Sequence, residues 1–434
     1  MKKKKPSVLK RILNTIGKGI EHIFKGLYYL FSLVTKNKWV VLLASAAMIG
    51  VGIFFYHKFG KTVQGEIVGT IVGLLATFLF ANILYLASLF IEDNYKVTNS
   101  PKILKKYNPY YQRHVLLNNG DICDYYYDLS ICKFENFFLS DDPGKHFKLD
   151  GFIEGHYTEL IGAHQGSYKQ NDVMLRIDDA TVDIENKKLS LSSSRTTYYN
   201  HLVTNRALDF PIKKSLSLRN VYEPSTLLKP LSISSFSNHL GLIGITKTRD
   251  GFFIIHKRSM TATISKNCFV APLATGVSLP HTTSNRDYDY AYTKAIKTSY
   301  IESFIKKHVN CHLLNTKCLD DAPVEDYVEK IELVGYGRDI REGGKPHLFY
   351  LITTNLAKDD YLDCYHKCQK NRHNKFDRDS KIFAVKPSEL SVYKNKLHID
   401  HYDKESKKSR AFYRKAENNL IALLHCLEEL NLLK

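Results

Sequence analysis

Two apolar runs near the N-terminus constrain this chain more than any other feature. Residues 39–56 (WVVLLASAAMIGVGIFFY) and 67–91 (IVGTIVGLLATFLFANILYLASLFI) carry no charged side chain. A helix needs ~20 apolar residues to cross the hydrocarbon core of a bilayer. The pair therefore predicts a transmembrane α-helical hairpin over 39–91, closed by the short loop 57–66. Basic residues set its orientation. Nine Lys and Arg11 precede the first run, and Lys96, Lys102, Lys105 and Lys106 follow the second, whereas the loop holds only Lys58 and Lys61. Both termini are expected on the cytoplasmic side of the membrane.

Residues 1–38 contribute ten basic side chains against one acid, Glu21, which is +9 of the chain's formal +18. Charge packed against an apolar run suits anionic lipid better than nucleic acid. Leu9, Ile12, Leu13, Ile16, Ile20, Ile23, Phe24, Leu27 and Phe31 recur at helical spacing, with Lys10, Arg11, Lys18 and Lys25 on the other face. This leader reads as a basic amphipathic helix in the membrane interface.

The second run holds Gly65, Gly69 and Gly73 at four-residue intervals, with Thr70, Thr77 and Asn82 as polar groups. Small residues on one face let helices approach closely in lipid, and a polar group there needs a partner or water. Two readings stay open: locking of the hairpin on itself, or subunit packing around a pore. A pore would require a homo-oligomer such as a tetramer, since two spans cannot enclose a channel.

From residue 95 the chain reads as a cytosolic α+β domain: a β-rich, tyrosine-rich segment over 95–190, then a larger part over 191–434. Short alternating runs broken by Asn, Asp, Gly and Pro predict strands at 173–177, 188–191, 242–246, 252–256, 332–336 and 347–352. Arg249-Asp250-Gly251 reads as a hairpin turn, because Asp-Gly favours positive φ. Helices are expected at 289–307 and 417–433, the latter with Leu420, Leu423, Leu424, Leu427 and Leu430 at core spacing.

Motif chemistry is sparse. The sequence has no G-x-x-x-x-G-K-[ST] loop, G-x-S-x-G elbow or H-E-x-x-H. Cys364, His366, Cys368 and His373 cluster without a second ligand pair, so neither a metal nor a cofactor is expected. The pairs Asp141-Asp142, Asp178-Asp179, Asp320-Asp321 and Asp359-Asp360 read as turn residues.

Residues 196–208, 237–259 and 271–302 together resemble divergent Nudix-like domains of bacterial proteins. In that pattern a strand–DG–strand hairpin ends in a basic pair, here Lys257-Arg258. A small-residue segment ending in glycine follows, here APLATG to Gly276, and then a helix that supplies carboxylates for magnesium. Here that helix reads AIKTSYIE, with Ala295 in place, Lys297 at the arginine position, Ile301 in place of one acid and Glu302 as the surviving one. Residues 331–351 resemble the strand, basic loop and strand that come next. The resemblance implies a Nudix-like mixed sheet with flanking helices. One glutamate cannot assemble the carboxylate cluster that hydrolysis through Mg²⁺ needs, so the implied domain keeps a nucleotide-sized cleft without the chemistry.

A degenerate nucleotide fold beside an oligomerising membrane hairpin is similar to anti-phage membrane effectors of CBASS-like and Hailong-type systems. That similarity implies an ion channel or membrane-disrupting pore, controlled by a nucleotide or short oligonucleotide made by a partner nucleotidyltransferase. An anionic ligand calls for cations and stacking aromatics. The expected binding residues are Lys257, Arg258, Arg338, Arg341 and Lys345, with Tyr198 and Tyr199 for stacking and the amides of Gly343-Gly344-Lys345 for a phosphate. Two alternatives stay open: a membrane-anchored hydrolase of nucleoside diphosphate derivatives, and a membrane-tethered interaction protein.

Overall fold

A computed structural model describes residues 126–162, 164, 171–212, 216–258, 267–279, 294–314, 326–371, 381–393, 396–403 and 408–433, with isolated positions between 103 and 123. All belong to the unit Asn94–Lys434.

The centre is a mixed sheet. Its strands lie in the order Lys381–Val385, Phe253–Lys257, Gly241–Lys247, Lys345–Thr354, Val328–Asp339, Tyr126–Ile131. Gly241–Lys247 and Lys345–Thr354 run parallel, and the other neighbours in this path are antiparallel. Leu273–Gly276 adds to Gly241–Lys247, and Phe269–Val270 to Phe253–Lys257.

The run Leu348-Phe349-Tyr350-Leu351-Ile352 explains why this sheet is covered on both faces. Alternate side chains point to opposite sides of a strand, so an unbroken apolar run needs two cores. Phe349 and Leu351 enter one core with Ile243, Ile245, Phe253 and Ile255. Leu348, Tyr350 and Ile352 enter the other with Leu242, Ile254 and Leu273.

Helix Asn418–Glu429 fills the first core. Leu420, Ile421, Ala422, Leu423, Leu424, Cys426 and Leu427 are all buried, as expected of a helix that is apolar nearly all round. The same core takes in Leu397 and Ile399 of a three-stranded antiparallel sheet, Leu390–Tyr393, Lys396–Asp403 and Lys408–Lys415. Helix Thr298–Lys307 lines the second core through Ile301 and Ile305.

A smaller sheet has Asn136–His146 and Val173–Asp183 on either side of Lys188–Thr197. Asn136–His146 pairs in parallel and Val173–Asp183 antiparallel. Backbone bonds from Leu175 N to the Val277 carbonyl (3.0 Å) and from Leu240 N to the Leu175 carbonyl (2.8 Å) join it to the segments flanking the large sheet.

Five of the six expected strands fall inside observed ones, and the sixth, 252–256, is offset by one residue from Phe253–Lys257. The Asp-Gly turn closes the expected hairpin, with Gly251 at φ +86 and Thr246 opposite Ile254. The helix expected over 289–307 is described only as Thr298–Lys307, so Ala295 precedes it and Lys297 is its N-cap.

The membrane fold class needs correction. Among the described residues no helix is long and apolar enough to cross a membrane. The longest, Lys358–Asn371, has 14 residues and begins Lys-Asp-Asp; the apolar Asn418–Glu429 has 12. At 1.5 Å rise per residue they reach about 21 and 18 Å, against ~30 Å of hydrocarbon. The expected leader over 1–38, the spans at 39–56 and 67–91, and Gly65, Gly69, Gly73, Thr70, Thr77 and Asn82 lie outside the described residues. The structure shows an α+β protein with mixed sheets; a two-span hairpin in a bacterial inner membrane is not shown.

Candidate functional site

The basic residues expected to meet a ligand divide into two places. Lys257 and Arg258 sit half-buried at the end of strand Phe253–Lys257. Two strands separate that strand from Val328–Asp339, a spacing of about 14 Å. Arg338, Arg341 and Lys345 are brought together by the turn between Val328–Asp339 and Lys345–Thr354.

That turn consumes its own cations. Arg338 donates from Nε to the Gly344 carbonyl (3.2 Å) and from Nη2 to the Lys229 carbonyl (2.6 Å). Arg341 grips Asp339 through Nε, at 2.9 and 3.1 Å to the two carboxylate oxygens, and reaches Asn419 Oδ1 at 3.2 Å. Lys345 Nζ lies 3.2 Å from Glu342, which also meets Arg206 at 3.5 Å. Burial opposes ionisation of Glu342, yet the Lys345 and Arg206 charges hold its carboxyl far below the usual range.

The backbone of the turn is equally committed. The amides of Gly343 and Gly344 donate to the carbonyls of Ile340 (3.3 Å) and Asp339 (2.8 Å). Gly344 has φ +83, and a Cβ there would come within 2.5 Å of Leu228 and 2.7 Å of Arg338 Nη2.

Behind the turn lie three buried histidines, His201, His239 and His347. The rings of His201 and His239 meet edge to face at 4.0 Å. Tyr198 faces both of them, at 6.1 and 6.5 Å between ring centroids. The Tyr126 hydroxyl lies 2.8 Å from His347 Nδ1 and donates to Asn419 Oδ1 at 2.6 Å. Burial, and then the Lys345 charge, pull His347 down to about 3 and His201 and His239 well below the ordinary histidine value. Tyr199 is half-buried, and its amide donates to Asn171 Oδ1 at 2.8 Å.

An open basic site exists elsewhere. A cleft of about 350 Å³ is lined by Lys145, His146, Phe147, Lys148, Asp150, Arg176, Ser194, Ser232, Ser234 and Ser235. Its first wall comes from an irregularity in strand Asn136–His146. Asp141 stands opposite Ser193 and His146 opposite Arg195, so five steps on one strand match two on its partner (146 − 141 against 195 − 193). The surplus is absorbed where Asp142 Oδ1 accepts the Gly144 amide at 3.0 Å. This bulge throws Lys145 outward and delivers Phe147 and Lys148 to the rim.

The bulge is anchored at its start. Asp141 Oδ1 and Oδ2 accept Arg195 Nη1 and Nη2 at 2.6 and 2.7 Å. Asp141 also takes Ser193 Oγ (2.7 Å) and the Ile296 amide (2.8 Å). Both charged side chains are 0% exposed.

Arg176 forms the floor and is 6% exposed. Its Nη1 contacts Asp178, its Nη2 donates to the Ser234 carbonyl at 3.3 Å, and its guanidinium lies 5.1 Å from the centre of the Phe147 ring. Asp178 also accepts Ser194 Oγ (3.0 Å) and meets Lys145 Nζ (3.1 Å). Arg176 Nε has no hydrogen-bond partner among the described residues. Burial lowers the Arg176 pKa to about 10, so it remains a cation at neutral pH. A buried charge with an unspent donor favours an incoming anion.

The other polar groups point the same way. Ser234 Oγ accepts from the Phe236 amide (3.3 Å) and Asn238 Nδ2 (2.8 Å), which leaves its own proton to give. Asp150, at the lip, is occupied by the Phe152 amide (2.9 Å) and the Tyr222 hydroxyl. The lining thus offers three basic side chains and, with Ser194 given to Asp178, the hydroxyls of Ser232, Ser234 and Ser235. The carboxylates beside them are already hydrogen-bonded.

None of the cleft's cations or serines stands out in the sequence by a motif. The available signals are weak: the basic-aromatic run Lys145-His146-Phe147-Lys148 and the serine-rich stretch 232–237. Glu302, the one acid left by the Nudix-like pattern, is exposed on helix Thr298–Lys307, and Ile301 is buried beside it. Among the described residues no group of three or more His, Cys, Asp and Glu side chains is placed to hold a metal ion. No family model matches the chain, and no curated protein matches it.

Proposed function

We propose that the described α+β fold is a receptor for a phosphate-bearing ligand of the nucleotide class, bound in the cleft between the 145–148 bulge and Arg176. The observation that carries this reading is a buried arginine, its Nε donor without a partner among the described residues, in the wall of a cleft that lysines and serines also line. Desolvated donors aimed at one point bind an anion with little reorganisation. Most of the polar side chains lining the cleft are donors, Arg176 and Ser234 buried at its floor and Lys145 and Lys148 at its rim, which suits recognition of an anionic signal. The similarity to nucleotide-controlled defence systems supports a sensing role for this fold.

The test is calorimetric titration of the full chain with nucleoside mono- and diphosphates and a short oligonucleotide near physiological salt. Binding is expected in the micromolar range, and the double substitution Lys145→Ala/Lys148→Ala should weaken it at least tenfold. Both lysines are exposed, so the fold should survive their loss. Absence of heat and of any thermal shift across this set in the wild-type protein would overturn the reading.

A further inference from the structure

We infer that the cleft selects a compact ligand with two phosphoryl groups in tandem, and rejects both single phosphate and an extended nucleic-acid strand. The inference rests on the receptor reading above and specifies its ligand.

Size gives the first argument. At about 350 Å³ the cleft falls at the small end of ligand cavities, which run roughly 300–1,000 Å³. Single-strand binders instead track the backbone over ~4–16 nucleotides along a continuous groove with a series of stacking aromatics. Here the described lining holds two adjacent rings, His146 and Phe147, and the Arg176 guanidinium already lies against the Phe147 ring.

The distribution of donors with depth gives the second argument. Arg176, Ser194 and Ser234 are buried, while Lys148 and Ser232 are exposed and the Lys145 side chain is 58% exposed. The donors therefore form two tiers. At the floor, Ser194 has given its proton to Asp178, which leaves Arg176 Nε–H and the Ser234 hydroxyl. Two donors suit one phosphoryl group, whose remaining oxygens stay unserved. At the rim, each lysine ammonium carries three donors on a flexible stem. Among the described residues Lys145 pairs with Asp178, at 3.1 Å, a half-exposed pair worth little that a stronger anion replaces.

Charge gives the third. A terminal phosphate carries about −1.5 to −2 at neutral pH, and a second phosphoryl group adds to this. A single phosphate filling the floor leaves both rim lysines without an anion. A phosphodiester strand brings one negative charge per nucleotide, too dilute to engage three cations within one small cleft. A tandem pair places one group on each tier.

The experiment is a set of titrations of the full chain with inorganic phosphate, inorganic pyrophosphate, ADP and a five-nucleotide single strand. Pyrophosphate and ADP should bind within a few-fold of each other, and at least tenfold tighter than phosphate or the strand. Lys148→Ala should cost pyrophosphate about tenfold and leave phosphate unchanged, whereas Arg176→Lys should weaken both. Phosphate binding as tightly as pyrophosphate, the strand binding tighter than ADP, or Lys148→Ala weakening phosphate and pyrophosphate alike would each overturn the inference while leaving an anion receptor in place. If none of the four ligands binds, the receptor reading falls with it.

Discussion

The turn Arg338–Lys345 and the cleft around Arg176 are built from the same materials and put them to opposite uses. Each gathers three cations beside carboxylates and backbone carbonyls. In the turn, each cation ends on a partner from its own surroundings, and the two glycine amides are spent on carbonyls three and five residues back. In the cleft, a buried guanidinium keeps one donor in hand and two lysines reach into solvent. A cation buried with full satisfaction closes a fold, whereas one with a donor left over makes a place for a ligand.

The sharpest way to break this comparison is to disrupt the turn. Asp339→Ala strands Arg341 in the interior, and breaking a buried pair from one side costs about 3–5 kcal/mol. Urea unfolding of the purified chain should show that loss. A cost below ~1 kcal/mol would mean that the turn is no latch.

Gly344→Ala comes next. It places a side chain at φ +83 against Leu228 and Arg338, a conformation that costs on the order of 1–3 kcal/mol before any packing change. The readout is the same unfolding midpoint.

A pH series sharpens the electrostatic side. His201, His239 and His347 have depressed values in the fold, His347 at about 3, against ~6.5 in an unfolded chain. Between those values the unfolded state binds more protons, so stability rises with pH. It should fall as pH drops from about 6.5 toward 3, with a slope up to ~1.4 kcal/mol per unit for each histidine. His347→Asn, read by denaturant midpoints at pH 7 and 4.5, should flatten that slope.

The smallest stability effect belongs to the cleft. Lys145→Ala and Lys148→Ala should change unfolding free energy by ~0.5 kcal/mol or less, as usual for exposed side chains. A large loss would turn these lysines into structural residues and remove the contrast with the turn.

What could be read from the sequence followed periodicity. Strands at the centre of the large sheet announce themselves because burial on both faces demands unbroken apolar runs such as 348–352. The Asp250-Gly251 turn and the leucines of helix Asn418–Glu429 have equally local signals. The cleft has none of these. Strand Asn136–His146 carries Asp141-Asp142-Pro143-Gly144, a turn signature, and the chain does turn there, as a bulge inside a strand.

The acids show the same limit. Asp141 and Asp178 read as turn residues, yet each lies under a buried arginine, Arg195 and Arg176 respectively. These partners are 54 and two positions away. Sheet geometry supplies both: Arg195 lies two residues beyond Ser193, which stands opposite Asp141, and Arg176 lies two residues before Asp178 on its own strand. The expected ligand residues of the turn failed to predict their own burial for a related reason. Arg338 and Arg341 find acceptors on Lys229 and Asn419, over 70 residues distant in sequence.

One measurement tests the central claim most directly. Pyrophosphate is titrated calorimetrically into the wild-type chain, into Lys145→Ala/Lys148→Ala, and into Lys257→Ala/Arg258→Ala. The account predicts that the wild-type chain binds, that the cleft variant loses at least tenfold in affinity, and that the hairpin-end variant matches wild type. Loss at the hairpin end with the cleft variant unchanged would contradict it.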